Sequence, residues 1–172
     1  MNSSTPGRIL LAVMTVLFVL LFIIPLVSSY GKFTDLDGTA GIIDHSWSWV
    51  NPISATVYWL GDLFCHQDFG RSFVVNGSQL AFCQRDISIF LGIIIGLVVT
   101  DLKIRHLDLS NFRVFIVGLI LISIGFAEWS FENITSSDFF VGRVLTGVIT
   151  GIGVALIFQY FIKRQYKKII NG

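Results

Sequence analysis

Residues 9–27 read ILLAVMTVLFVLLFIIPLV, nineteen consecutive positions without a charge. Crossing the hydrocarbon core takes about 20 mostly apolar residues. Backbone in lipid must satisfy its own hydrogen bonds, which a helix does. The stretch therefore reads as a transmembrane helix, and it sets the expectation for the rest of the chain. Composition agrees: of 172 residues, 53% are hydrophobic and 13% charged, against roughly 25% charged in a soluble domain. A formal net charge of +1 provides no basic face for many phosphates, so nucleic acid is not an expected partner.

Two further runs, 112–129 and 139–162, meet or nearly meet the same length requirement, and each reads as a span. A fourth, 85–102, has an apolar centre of only fourteen residues, Ile87 to Thr100, but extends into Arg85-Asp86 and Asp101-Leu102-Lys103. Residues 52–64 differ. Asn51 can cap a helix whose first position is Pro52, with Ile53, Val57, Leu60 and Phe64 along one face. That helix is too short to cross and is expected to lie at the surface or to dip in and return. The expectation is an all-α membrane protein, residues 1–172 forming one domain of four spans plus this interfacial or re-entrant helix. An alternative reading makes Arg8, the first apolar run and Val27-Ser28-Ser29 a cleaved signal peptide.

Orientation follows from Lys and Arg beside the span ends. Lys103, Arg105 and Arg113 lie between the second and third spans, and Lys163, Arg164, Lys167 and Lys168 follow the fourth. Both groups are expected in the cytoplasm of a multi-pass plasma-membrane protein with both termini inside. Glu128, Glu132 and Asp138, and the acidic first connection with Asp35, Asp37, Asp44 and Asp62, fall outside, as do Trp47, Trp49, Trp59 and Trp129. Gly92 with Gly96 and Gly147 with Gly151 have the small-xxx-small spacing that lets helix backbones approach.

The external stretch CHQDFGRSFVVNGSQLAFCQRD, Cys65 to Asp86, concentrates the polar chemistry. Cys65, His66, Cys83 and Asp86 are transition-metal ligand types, and Cys83 and Asp86 at i and i+3 share a helix face. Zinc or another transition metal is the implied cofactor. A Cys65–Cys83 disulfide, closing a loop for about 3 kcal/mol, and two reduced thiols packed in an interface stay open beside it. Arg143 lies about a turn inside the fourth span, where a guanidinium needs a counter-ion such as Asp138 or Asp86. Otherwise Arg143, Arg71 and Arg85, with Gln67 and Ser72, form a pocket for an anionic lipid head group, since the planar fork of Arg holds two phosphate oxygens. His45 and His106 fall on opposite sides of the bilayer and share no site. Asn76-Gly77-Ser78 and Asn133-Ile134-Thr135 are glycosylation sequons on external loops.

Cys65-His66-Gln67, Arg71-Ser72-Phe73, Gly77, Cys83-x-Arg85, Ile89-x-x-Gly92 and Arg143-x-x-Thr146-Gly147 with Gly151 together resemble the domain of unknown function 2085 family of prokaryotic integral membrane proteins. The resemblance covers roughly Leu63 to Gly153. Members of that family often carry a second Cys where this chain has Asp86, and Tyr where it has Phe90. Asp can replace Cys as a metal ligand but cannot form a disulfide, so the departure keeps the metal reading and weakens dithiol redox at that pair. The resemblance implies no established activity. Three functions stay in view: an external metal-binding site beside an anionic head group, a membrane enzyme acting on a lipid phosphate or on thiols, and a disulfide-stapled structural bundle.

Overall fold

The computed structural model describes residues 5–102, 109–135 and 139–171. It is mostly helical: α1 (Thr5–Val27), α2 (Pro52–Phe64), a 3-10 turn (Phe69–Arg71), strands β1 (Ser72–Val75) and β2 (Ser78–Cys83), then α3 (Gln84–Leu102), α4 (Phe112–Thr135) and α5 (Phe140–Asn171). By length and composition, α1, α4 and residues Phe140–Ile169 of α5 can cross a membrane. The expected span at 85–102, α3, is not among them. Its 19 residues reach about 28 Å, but Arg85, Asp86 and Asp101 confine the uncharged part to its middle. The chain divides into two compact units, Met1–Thr15 with Ser88–Gly172, and Val16–Ile87.

In the first unit, small residues set the helix packing. Among the expected glycines, Gly92 of α3 and Gly151 of α5 meet: a Cβ on Gly92 would overlap Val148 O and come 3.0 Å from Gly151 Cα. One turn on, a Cβ on Gly96 would lie 2.6 Å from Ala155 Cβ. Gly147, Gly151 and Ala155 are buried at successive intervals of four, the stripe that small-xxx-small packing requires. A second small face of α5 receives α4, since a Cβ on Gly118 would lie 2.9 Å from Gly153 O. Ile93, Leu97 and Ala155 form the buried cluster, with Leu10, Leu11 and Met14 against it. At its edge Arg8 Nε donates to Asp101 Oδ2 at 3.0 Å.

The second unit contains what an all-α reading omits, an antiparallel hairpin. Its connection is Asn76-Gly77, both at positive φ (52° and 71°). Two such residues make the turn whose twist suits a two-residue hairpin, and Asn-Gly is its preferred sequence. Asn76 Nδ2 also donates to Pro25 O and Ser28 O, at 3.1 and 2.9 Å. The amide of this sequon is thus engaged in joining the turn to the end of α1.

Helix α2 starts as expected, with Asn51 Oδ1 accepting from Ser54 N at 3.0 Å and Pro52 in the first turn. Its buried face shares only Val57 with the expected apolar stripe. Ser54, Val57, Tyr58, Gly61 and Asp62 are buried, whereas Ile53 and Phe64 are 61% and 66% exposed. Protein packing takes the small and polar side because Gly61 lets the helix backbone approach Ala81 of β2. The side carrying Ile53 and Phe64 is left exposed. Tyr58 Oη donates to Gln79 O at 2.7 Å and stacks on Phe33, centroids 4.0 Å apart. Trp47 packs near the same ring and is buried, unlike Trp49, Trp59 and Trp129.

Candidate metal centre

Three chain positions converge where α2 ends, β2 ends and α3 begins. Cys65 caps the C-terminus of α2 in extended conformation, its N–H donating to Gly61 O. The chain then reverses through Gln67, a non-glycine residue held at φ 49°. A fully buried hydrogen-bond exchange fixes that reversal: Gln67 Nε2 donates to Ala81 O, and Gln79 Nε2 donates to Gln67 O, each at 2.9 Å. These bonds tie the segment after Cys65 to the strand that delivers Cys83. Asp86 sits in the first turn of α3, three residues beyond Cys83.

Within the cluster, Cys83 N–H donates to Cys65 Sγ at 3.2 Å, and the Cys83 thiol donates to Asp86 Oδ2 at 3.1 Å. The three donor atoms of Cys65, Cys83 and Asp86 all lie within 4.8 Å of one another. Around a zinc ion with bonds of 2.0–2.3 Å, tetrahedral ligand atoms stand roughly 3.5–3.8 Å apart. The 4.8 Å bound is about 1 Å wider than that spacing, and the Cys83–Asp86 pair, at 3.1 Å, is closer than it. Both cysteines are free thiols in the structure, Cys65 buried and Cys83 partly exposed. The hydrogen bond to Cys83, followed by burial and the neighbouring acidic charges, raises the Cys65 thiol pKa far above its ordinary value. A cation bound beside Cys65 would oppose that shift, because it favours the thiolate.

His66 is not brought into the cluster. It is exposed; its carbonyl accepts from Gly38 N at 2.9 Å and its Nδ1 accepts from Ala40 N at 3.4 Å. The expected anion-binding residues are dispersed among other tasks. Gln67 packs inside the unit, Ser72 Oγ donates to Asp68 O at 2.8 Å, and Arg71 faces Asp68 across 3.8 Å. Arg85 is partly buried on the first turn of α3.

Arg143 has a partner that sequence reasoning placed in an external loop. Its Nε donates to Glu132 Oε1 at 2.8 Å, and both side chains are 2% exposed. The expected partner Asp138 lies outside the described residues, and the other, Asp86, engages Cys83. Glu132 belongs to α4, which runs six residues past the expected boundary. Also unforeseen was a pair in the other unit: His45 Nδ1 lies 2.7 Å from Asp62 Oδ1, and His45 N–H donates to Asp62 Oδ2. The one sequence signal for the metal centre's scaffold was Gly61 inside an otherwise good helix, a position that costs stability unless packing needs it.

Three helices long and apolar enough to cross a membrane mark a membrane protein, and a Cys/Cys/Asp cluster is present among its described residues. A family model described as predicted membrane protein (DUF2085) matches residues 65–157, more than half of the chain, and the chain belongs to that family. The match starts at Cys65 and includes Cys83, Asp86, Arg143 and the packing glycines. An uncharacterised protein of Methanocaldococcus jannaschii is 30% identical over 126 residues, covering 67% of this chain and 75% of that protein. No solved structure matches the chain.

Proposed function

We propose that this is a multi-pass plasma-membrane protein whose external face binds a transition metal, zinc by preference, through Cys65, Cys83 and Asp86. The observation that carries the reading is the convergence of three donor atoms within 4.8 Å from segments up to twenty-one residues apart in sequence. In this reading α3 also crosses the membrane, as the second of four spans, both termini are cytoplasmic, and the apolar side of α2 rests on the outer leaflet. The Lys/Arg asymmetry of the loops supports that orientation. Arg71, with 44% of its side chain exposed, is available to anionic head groups as a secondary contact.

Metal analysis of the purified full chain, paired with mass spectrometry of non-reduced peptides, tests the centre. The expected result is about one metal per chain with both thiols reduced, and occupancy lowered by Asp86→Ala. Quantitatively bonded cysteines in metal-free protein would establish the disulfide staple instead. Impermeant thiol labelling of single-cysteine variants tests topology: Lys168→Cys should react only after permeabilisation, and Asn133→Cys without it.

A further inference from the structure

The described residues supply three donors to the centre, one fewer than the closed four-ligand shell of a structural zinc site. His66, the obvious fourth by sequence, is directed to Ala40 instead. Burial is lopsided: Cys65 is 4% exposed, while Cys83 and Asp86 are both partly open. Cys65 is enclosed by protein, and what exposure the three residues have lies at Cys83 and Asp86. Sites with three protein ligands and an accessible fourth position are the ones that exchange ligands.

Charge decides which ligand. Metal binding requires both thiols deprotonated and the carboxylate ionised, giving three negative charges against a divalent ion and a net charge of about −1. An oxyanion would add further negative charge to the same centre. A neutral nitrogen donor takes the position without charge repulsion. The same electron-rich donor set weakens the ion as a Lewis acid, so bound water is acidified less than in sites built from neutral histidines.

We propose that the centre is a ligand-exchange site: Cys65, Cys83 and Asp86 hold the ion, and the fourth position, on the side of Cys83 and Asp86, accepts a neutral nitrogen donor of the imidazole type in preference to an oxyanion. The proposal rests on the metal reading above. An ion held by three protein ligands is open to attack by a fourth, the arrangement that passing an ion to or from another ligand set requires.

Cobalt(II) bound to the full-length protein in detergent separates the two levels. Thiolate-to-cobalt charge-transfer absorption reports the centre itself, and the visible ligand-field bands report the fourth position. The expected result is charge transfer in the wild type, with ligand-field bands that shift saturably with imidazole and do not shift with equal concentrations of inorganic phosphate. Charge transfer with bands indifferent to imidazole, or perturbed by phosphate at lower concentrations, overturns the exchange proposal and leaves the metal centre standing. His66→Ala guards against a hidden fourth ligand: imidazole sensitivity that appears only in that variant also overturns the proposal. Absence of charge transfer in the wild type removes the metal centre and the proposal together.

Discussion

Replacing Gly61 by Ala adds one methyl group, yet it should open the centre. The added Cβ would overlap Ala81 O and come within 2.8 Å of the Ala81 carbonyl carbon and 2.6 Å of Gln67 Nε2. Carbon atoms in good contact sit at about 3.5 Å or more, so the carbonyl carbon alone demands a separation of about 0.7 Å between α2 and β2. Backbone on one side and a buried hydrogen-bonded amide on the other leave little room to yield. The displaced elements carry the proposed ligands: Cys65 N–H is bonded to Gly61 O, and Cys83 lies two residues after Ala81. Metal–ligand distances tolerate about ±0.2 Å, so the displacement exceeds the tolerance several-fold. Overpacking should cost about 1–3 kcal/mol of stability. Metal affinity should fall by about 10–100-fold, as when support behind metal ligands is lost. Thermal melting and competition with a chelator of known affinity, both on the full chain in detergent, measure the two effects. Gly96→Ala, which crowds Ala155 in the other unit, should lower the melting temperature while leaving metal affinity unchanged. A folded Gly61→Ala protein with wild-type affinity would refute the argument that this contact sets the ligand spacing.

The Arg143–Glu132 pair is buried on both sides, so Arg143→Leu alone should cost about 3–5 kcal/mol, and Arg143→Leu with Glu132→Leu should recover most of that; unfolding in detergent tests whether it does. Gly151→Val should separate α3 from α5, since even a Cβ there would lie 2.8 Å from Gly92 Cα and Ile93 N, and a variant as heat-stable as wild type would contradict that packing. For the metal-free protein, the raised pKa of Cys65 has a definite sign. Above the ordinary thiol value of about 8.5 the unfolded chain loses a proton that the native state keeps, so stability should decline by up to about 1.4 kcal/mol per pH unit. Below that value both states carry the proton and the contribution is fully present. Metal binding should run oppositely and tighten as pH rises, because the ligands must lose protons; melting curves with and without zinc across pH 7–10 would show both trends.

How far the sequence could be read depended on whether a feature was local. Asn51 and Pro52 started α2 where their backbone chemistry requires. The hairpin was equally local, its signal being Asn76-Gly77 between SFVV and SQLAFC, but the same residues also spell a sequon and were read that way. The apolar stripe of α2 was legible from its spacing, but the structure splits it, with Val57 buried and Ile53 and Phe64 exposed. Hydrophobic periodicity identifies a stripe without saying whether protein or lipid covers it, and Gly61 and Tyr58 made the opposite side the one that packs.

Charge-free runs of nineteen residues and the chemistry of Cys65, Cys83 and Asp86 are properties of composition and spacing, so the membrane class and the candidate ligand types could be read from the sequence alone. Which ligands meet could not. Cys65 and His66 are neighbours in the chain with equal claims to a metal, and the turn held at Gln67 by its bond to Ala81 brings one into the cluster while the other stays at the surface beside Ala40. Arg143 likewise announced its need for a counter-ion by its depth in a span, but Glu132 became that ion only because α4 continues past Trp129 and packs against α5. Such choices rest on distances between residues remote in sequence, and only the folded chain sets those distances.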